Sequence, residues 1–365
     1  MSKIPRGLGE LQVLERIKGW IDLNMEGKII NRFVQSSTAT CEEEGIDLSS
    51  FLPNSINISK TPQTEIPKIA KDRKLTAEIE RAIQKVPTCH KFYNVDARKI
   101  DFLEPETIHL VLTSPPYWIL KEYRHTDGQL GFINDYEQFL KELDKIWEKC
   151  YQSLVYGGRL ICVVGDVCLS RRKNSGGHTV VPLHASIQEH CRKIGFQNLS
   201  TIIWHKIANA NYEVEGAGGF LGKPYEPNAV IKNDIEFILM ERKPGGYRNP
   251  SNAARILSII TEDRHRQLFQ QIRTGLTGAS TKNHPAPYPL DLAERLIRMF
   301  SFVGDTVLDP FMGTGTTNIA AAKWGRNSIG VEIDQHYFNM ASQRFCKETE
   351  GLFSKTALYQ FAKGI

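Results

Sequence analysis

The sequence lacks the features that mark membrane proteins, secreted proteins and zinc proteins. No apolar run is long enough to span a bilayer, and the N-terminal segment contains no signal-peptide apolar core. None of the seven cysteines forms a CxxC pair, so the ligand spacing of a structural zinc site is absent. We therefore expect a cytoplasmic protein that holds no metal ion and does not associate with a membrane.

The chain has only a small excess of positive charge. Its 46 lysines and arginines against 41 acidic residues give a net charge of +5 and a pI near 8.7. This balance permits a polyanionic partner without requiring one. A hydrophobic content of 41% over 365 residues is ordinary for a globular protein, and the length allows one large domain with insertions or two domains.

The pattern of predicted elements changes near residue 88. Residues 1–87 combine helical patterns with a loop rich in Ser, Asn and Pro, and this N-terminal extension has no role that its pattern reveals. Farther along, strands alternate with helices, which predicts an open, largely parallel sheet covered on both faces. The strand-like segments are KFYNVDA, IHLVLTS, GGRLICVVGD, QNLSTIIWHK, DIEFILMERK, DTVLDP and NSIGVEID.

A glycine turn between a strand and a helix, VLDPFMGTGTT at residues 307–317, predicts a ligand-binding loop. Gly313 and Gly315 allow a sharp turn and a close approach of the backbone to a ligand. The next strand ends at Glu332 in GVEID, and an acid there can accept hydrogen bonds from both hydroxyls of a ribose. This succession predicts a site for a nucleoside-containing cofactor.

Two common phosphate-binding loops are excluded by residues that are missing. No lysine follows the glycines, as a Walker loop requires, and Asn318 replaces the third glycine of a dinucleotide loop. Asp309 at the mouth of the loop would repel a pyrophosphate, but it suits the cationic amino group of S-adenosylmethionine. The residues therefore favour S-adenosylmethionine as the cofactor.

The stretch TSPPYW, residues 113–118, ends a strand with a rigid Pro-Pro corner. It resembles the [DNS]PP[YFW] catalytic motif of the amino-methyltransferases that modify exocyclic amines of DNA bases. KFYNVDA, GGRLICVVGD, IIWHK, HPAPYP and DPFMGTGTT are similar to further blocks of that family, so the resemblance covers most of residues 91–347. The catalytic motif precedes the cofactor loop, and this order resembles the β group of the family.

The resemblance implies a Rossmann-like S-adenosylmethionine-dependent methyltransferase fold, with a mostly parallel seven-stranded sheet and an inserted target-recognition region. It implies a catalytic corner made of Ser114, Pro115, Pro116 and Tyr117. It also implies cofactor contacts from residues in the matching motifs, which are Asp96, Thr113, Asp309, Phe311, Gly313, Gly315, Thr316 and Glu332.

The resemblance also divides the chain into a core and an inserted region. The catalytic and cofactor-binding core is expected at residues 88–206, 232–243 and 284–347. The target-recognition region is expected at residues 207–231 and 244–283, followed by a C-terminal tail at residues 348–365.

The motif fits the chemistry of amine methylation. An exocyclic amine is planar because its lone pair conjugates with the ring, so acceptors around its N–H groups favour the tetrahedral geometry needed for attack. The Ser114 hydroxyl and the Pro115 carbonyl can accept these hydrogen bonds, and Tyr117 can stack on a base flipped out of the duplex. In the family that the sequence resembles, serine in the first position favours N4 of cytosine, while the chemistry leaves N6 of adenine open.

Double-stranded DNA is the expected partner, with a cognate restriction endonuclease as a further candidate and either a monomer or a dimer as the assembly. A catalytically inactive DNA-binding module and an RNA or protein methyltransferase are the rival hypotheses. The candidate DNA contacts are one aromatic residue beside the motif, basic residues of a loop at residues 170–178 and arginines of the target-recognition region. These candidates are Trp118, Arg171, Arg172, Lys173, Arg248, Arg255, Arg264 and Arg266.

Overall fold

Strands and helices alternate from residue 88 onward in the structure, a computed structural model. It describes residues 31–34, 46–56, 62–121, 123–169, 177–206, 233–276, 278, 288–350 and 356–362. Within these ranges, no helix has both the length and the apolar character needed to cross a bilayer.

Strands and helices are interspersed along the described parts of the chain. They are β1 (Asn31–Val34), β2 (Thr88–Asn94), β3 (Ile108–Thr113), β4 (Leu154–Val164), β5 (Val167–Leu169), β6 (Thr179–Val181), β7 (Gln197–Asn198), β8 (Ile202–His205), β9 (Ile235–Arg242), β10 (Ile272–Arg273), β11 (Thr306–Asp309), β12 (Asn327–Val331) and β13 (Thr356–Ala362). The described α-helices are α1 (Pro62–Lys71), α2 (Arg73–Ile83), α3 (Tyr136–Ser153), α4 (Leu183–Ile194), α5 (Asn252–Leu257), α6 (Glu262–Leu268), α7 (Leu290–Phe300), α8 (Thr316–Lys323) and α9 (Gln335–Thr349). Short 3-10 helices lie at Leu48–Phe51, Ala97–Lys99 and Leu130–Phe132.

One large mixed sheet forms the centre of the molecule. Its strand order is β1-β13-β2-β12-β11-β3-β4-β9-β8-β10, and β7 pairs with β9 beside this path. The strands from β13 to β4 are parallel to one another, whereas β9 is antiparallel to β4 and β8. The strands predicted from the sequence form the continuous stretch from β2 to β8, so the prediction of a largely parallel α/β sheet is confirmed. The structure adds β1, β13 and β10 to this sheet, and it divides the predicted strand QNLSTIIWHK into β7 and β8.

Helices cover both faces of the sheet. Val111 of β3 packs in the core that contains Phe139 and Leu143 of α3. Its neighbours Leu110 and Leu112 pack on the other face, in the core formed with α7 and α8. Successive side chains of a strand point to opposite faces, so a strand covered on both faces must be apolar throughout. This requirement explains the apolar run Leu110–Leu112 in β3.

The C-terminal residues differ from the expected tail. Helix α9 continues to Thr349, and β13 then pairs in parallel with β2. The β13 residues Ala357, Leu358 and Tyr359 are buried, and Thr356 contacts Thr88, which lies 268 positions earlier in the chain. A short segment that depends on so distant a partner carries little local signal of its pairing.

The N-terminal extension packs against part of the region expected to recognise the target. Ile69 of α1 and Ile79 of α2 share an apolar cluster with Ile256 and Leu257 of α5. Residues 252–257 therefore contribute to a structural core.

The parallel strands define two edges of the sheet. Strands β2, β12, β11, β3 and β4 all end at one edge, which is named the carboxyl edge, and all begin at the opposite amino edge. In open α/β sheets, ligands bind outside the carboxyl ends of the strands.

Candidate active site

A cavity opens at the carboxyl edge, between the segments that follow β2, β3, β11 and β12. Many predicted site residues line it, namely Asp96, Ser114, Pro116, Phe311, Gly313, Thr316 and Glu332. The predicted residues Thr113, Pro115, Tyr117, Asp309 and Gly315 are not part of its lining. Tyr123, Tyr288 and Tyr337 also line the cavity, and of these only Tyr288 lies in a block that the sequence analysis names, HPAPYP.

Asp309, the last residue of β11, lies behind the glycine loop. Its carboxylate accepts hydrogen bonds from Thr113 Oγ1 at 2.7 Å, from Thr317 Oγ1 at 2.6 Å and from the Phe311 amide at 3.1 Å. Burial raises the pKa of Asp309 to about 6, and these hydrogen bonds oppose the rise. Asp309 therefore holds β3, β11 and α8 together beneath the loop, whereas the sequence had placed it in direct contact with the cofactor.

The glycines of the loop are required by its geometry. Gly313 and Gly315 have φ values of 52° and 78°, in the left-handed region that favours glycine. A Cβ on Gly315 would lie 3.3 Å from the Cβ of Ala341 in α9, so a side chain there would also crowd this helix. The turn and the close packing are both consistent with a ligand-binding loop.

Glu332 connects the glycine loop to the segment after β12. Its carboxylate accepts the Gly313 amide at 2.9 Å and the Asp334 amide at 2.9 Å. Burial raises the pKa of Glu332 to about 8, and the two amide hydrogen bonds oppose this rise. Each oxygen keeps a lone pair after accepting one amide, so the carboxylate can still accept the two hydroxyls of a ribose.

Asp96 follows β2 and also lines the cavity. It accepts the Arg98 amide at 2.9 Å and pairs with the Arg98 guanidinium at 2.6 Å, and Arg98 in turn reaches Glu142 at 2.6 Å. Burial works against the charged form of Asp96, but the hydrogen bonds from Arg98 hold its pKa below the usual value. Asp96 is therefore a fixed, charged acceptor at the cavity wall.

The Pro-Pro corner lies at the end of β3, beside the glycine loop. Ser114 and Pro116 face the cavity, while the Tyr117 ring is only 8% exposed and packs beside Gly165. The Tyr117 hydroxyl lies 3.3 Å from Ser114 Oγ, and it also donates to either the Val163 carbonyl or the Glu236 carboxylate, each at 3.3 Å. These contacts fix Tyr117 next to Ser114.

Glu236 is a site residue that sequence reasoning missed. It is buried at the carboxyl-edge end of β9, and its carboxylate pairs with Lys206 Nζ at 2.5 Å and with the Tyr117 hydroxyl. An acid inside the apolar segment DIEFILM was the available signal, since a charge is rarely buried without a partner.

Trp118, a predicted DNA contact, is mostly buried in the structure. Trp118 is 8% exposed, its Nε1 donates to the Ile133 carbonyl at 2.8 Å, and its ring meets Tyr136 edge-on at 5.0 Å. The residue has φ 48°, and this turn directs the side chain into the core. Sequence alone did not reveal the direction of that turn.

The predicted basic DNA contacts fall into two groups. Arg171, Arg172 and Lys173 lie outside the described residues, as do residues 207–231. Arg248, Arg255 and Arg266 line a second cavity at the amino edge, on the far side of the sheet from Ser114, and Arg264 lies on helix α6 beside them. Arg248 also pairs with Asp305 at 2.6 Å, immediately before β11 begins. That Arg248, Arg255, Arg264 and Arg266 contact DNA stays a prediction, and the structure places them away from the Ser114 corner.

The fold and the site together define a class of protein. A largely parallel α/β sheet carries a glycine loop, a carboxylate after the next strand and an SPPY corner, all at one edge. The cavity supplies hydrogen-bond acceptors for a ribose, and it also supplies a fixed negative charge. Both suit a nucleoside cofactor that carries a cationic group. These features are those of an S-adenosylmethionine-dependent methyltransferase.

The chain belongs to the N6/N4 DNA methylase family, whose model matches residues 108–343. It is 37% identical to the type II methyltransferase M.MjaI of Methanocaldococcus jannaschii over 280 residues, covering 68% of this chain and 89% of the relative. It is 34% identical to the type II methyltransferase M.MthZI of Methanothermobacter thermautotrophicus, covering 70% of this chain and 76% of the relative.

A solved structure agrees with this assignment. TTHA0409 of Thermus thermophilus, described as a putative DNA modification methylase in complex with S-adenosylmethionine, matches with a TM-score of 0.63 and 46% identity. The match covers 76% of this chain and 99% of that protein. The expected DNA amino-methyltransferase family, its fold and its cofactor, S-adenosylmethionine, are therefore confirmed.

Proposed function

We propose that this protein methylates N4 of cytosine at a specific site in duplex DNA, as the modification enzyme of a restriction–modification pair. One observation carries the proposal. Ser114 and Pro116 line the same cavity as Gly313 and Glu332, because β3 and β11 are adjacent parallel strands that end together. An amine held at the corner would therefore meet a methyl donor held by the loop.

The residues of the corner act mainly by positioning. S-Adenosylmethionine supplies the sulfonium methyl group when it is bound. The Ser114 hydroxyl and the Pro115 carbonyl accept the two N–H groups of the target amine, so its lone pair is directed away from the ring plane and towards the methyl group. The hydrogen bonds from Tyr117 to its neighbours keep the corner fixed while the nitrogen changes geometry. No cysteine nucleophile is required.

The choice of base rests on Ser114. Family members that act on adenine N6 more often carry an acidic residue in this position, and serine is associated with cytosine N4. N6 of adenine is the alternative, because both amines present the same two donors. The type II methyltransferases among the relatives support a role beside a restriction endonuclease.

Nucleoside analysis tests this proposal directly. The protein and its Ser114→Ala variant would be expressed in a host without DNA methyltransferases, and digested DNA would be examined by mass spectrometry. We expect N4-methylcytosine only with the unaltered protein. N6-methyladenine instead would overturn the assignment of the base, and methyl groups in RNA or protein but not in DNA would overturn the assignment of the substrate.

A further inference from the structure

A second cavity, of about 760 Å³, opens at the amino edge of the sheet. Its walls include His109 at the start of β3, Arg159 near the start of β4 and Arg242 at the end of antiparallel β9. Helices α1, α5, α6 and α7 complete it. Because β3 crosses the sheet with a rise of about 3.3 Å per residue, this amino-edge cavity lies on the order of 15 Å from the Ser114 corner.

Positive charge dominates the amino-edge cavity. Its basic residues are Lys71, Arg159, Arg242, Arg248, Arg255, Arg266 and Arg298, whereas Glu262 is the one carboxylate among the residues of its lining. Three of the cations have acidic partners, since Arg248 pairs with Asp305, Arg266 with Glu262 and Arg298 with Glu80.

Four cations of this cavity are not neutralised by any carboxylate in the described part of the chain. Arg242 donates to the Gln197 side chain at 2.6 Å, and Arg255 donates to the Asn249 side chain at 2.9 Å, and both of these acceptors are uncharged. Lys71 and Arg159 form no ion pair with described residues. The cavity therefore carries an excess of charge that needs a counter-charge from outside.

Two buried donors sharpen this requirement. Arg159 Nε and Arg298 Nη1 are both buried and have no hydrogen-bond acceptor among the described residues. Burial lowers the pKa of Arg159, and the neighbouring Arg242 and Arg248 lower it further. The Arg159 guanidinium is thus repelled by two others beside the same space, and a bound anion would relieve that repulsion.

We propose that the amino-edge cavity is a binding site for a small phosphate-bearing anion, separate from the methyltransferase site. Guanidinium groups match phosphate oxygens in charge and in their paired donor geometry. The volume lies within the roughly 300–1,000 Å³ typical of small-molecule sites. Aromatic rings accompany the cations, with Phe300 at 5.6 Å from Arg159 and the 91% exposed Tyr247 at 5.7 Å from Arg242. These rings provide faces for a nucleobase if the anion is a nucleotide.

A DNA duplex is a less suitable occupant. A duplex that delivers a base to Ser114 lies against the carboxyl edge, and it would have to wrap around the sheet to reach the opposite edge. Bending 20–30 base pairs by 40–90° costs on the order of 1–6 kcal/mol. The anion site does not rest on the proposed methylation of cytosine, so either proposal can fail without the other.

Titration with pyrophosphate and with ADP tests the site. The comparison of the two also shows whether the site binds phosphate alone or a nucleotide. Isothermal calorimetry would use the full chain with saturating S-adenosylhomocysteine, so that ADP cannot enter the cofactor cavity. The variants are Arg159→Met and Arg255→Gln, and the control is Arg192→Gln, an exposed arginine of α4 that pairs with Glu189. All three variants remove one positive charge.

We expect both cavity variants to weaken binding of pyrophosphate at least tenfold and the control to leave it unchanged. Tighter binding of ADP than of pyrophosphate would identify a nucleotide site, and equal binding would identify a phosphate site. Arg159→Met should also raise the Tm without any probe, because it removes a buried unpaired charge, and this readout shows that the variant is folded. The proposal is overturned if neither probe binds, or if binding persists in both cavity variants. It is also overturned if the variants weaken only the binding of duplex DNA, because the cavity would then be a contact for the DNA backbone.

Discussion

Replacement of Asp309 by alanine tests whether this residue supports the loop or contacts the cofactor. The change would leave the Thr113 hydroxyl, the Thr317 hydroxyl and the Phe311 amide without their shared acceptor. An unpaired buried donor costs about 1–3 kcal/mol. Thr317 Oγ1 has the Leu112 carbonyl at 3.3 Å as an alternative acceptor, so two donors remain to be counted. These two donors together should lower the free energy of unfolding by about 2–6 kcal/mol.

Part of that loss is offset. The carboxylate is buried and its pKa is raised to about 6, so its removal also relieves a cost of desolvation. We therefore expect a net loss of about 2–4 kcal/mol. With an unfolding entropy of about 2.1 cal/mol/K per residue, a chain of 365 residues should show a decrease in Tm of about 3–5 °C.

Asp309→Asn provides the matched control. Thr113 and Phe311 both donate to the same oxygen of Asp309, which the amide oxygen of asparagine can replace. The amide nitrogen would then face Thr317 Oγ1, whose oxygen can accept. The free energy of unfolding of this variant should fall by less than about 1 kcal/mol.

Thermal unfolding and calorimetric titration with S-adenosylmethionine would measure both effects. Asp309→Ala should weaken cofactor binding because the loop it anchors lines the cavity, while Asp309→Asn should retain most of the affinity. Equal losses of affinity in the two variants, without the expected difference in Tm, would refute a supporting role and favour a direct contact by the charge.

Further variants test the other parts of the site. Burial raises the pKa of Glu332 to about 8, so the folded state holds its proton more tightly than the unfolded chain, and stability should fall as pH rises from about 5 to about 8. Glu332→Gln should flatten the dependence of Tm on pH over this range, and an unchanged slope would contradict the raised pKa. Tyr117→Ala removes the buried ring and the hydroxyl contacts that hold the corner, so it should reduce kcat/KM for methyl transfer by about 10- to 100-fold with little change in cofactor affinity, whereas Tyr117→Phe keeps the ring and should lose less. Equal losses of transfer and cofactor affinity in Tyr117→Ala would count against a role in positioning the target base. Glu236→Gln breaks the pair with Lys206, and a double-mutant cycle with Lys206→Met should give a coupling of about 0.5–3 kcal/mol in unfolding experiments. Additive effects would show that the pair does not act as a unit. Trp118→Phe removes the bond to the Ile133 carbonyl and should cost about 1–2 kcal/mol of stability without weakening DNA binding, and a selective loss of DNA affinity would show that Trp118 is a contact.

Local patterns were sufficient for much of the fold and the site. The strands from β2 to β8 were visible because each is a short apolar or alternating segment bounded by turn residues. The glycine loop was visible because its backbone requires residues without a side chain, as the φ values of Gly313 and Gly315 show. Glu332 was visible because it follows a strand one helix later, and parallel strands bring such positions to one edge.

Other features depended on contacts between distant parts of the chain. The pairing of β13 with β2 and the burial of Trp118 require partners that no local window contains. The basic residues Arg248, Arg255 and Arg266 looked suited to DNA, yet the path of the chain carries them to the amino edge.

The sequence by itself therefore determined the class of fold, the glycine loop and the Pro-Pro corner, because each is encoded in a short run with its own backbone or chemical requirement. Only the tertiary structure decided which of those residues face the cavity. It turned Asp309 inward to hold the loop, placed Glu236 beneath Tyr117 and gathered cations into a second cavity, since side-chain direction and strand neighbours follow from the packing of the whole chain.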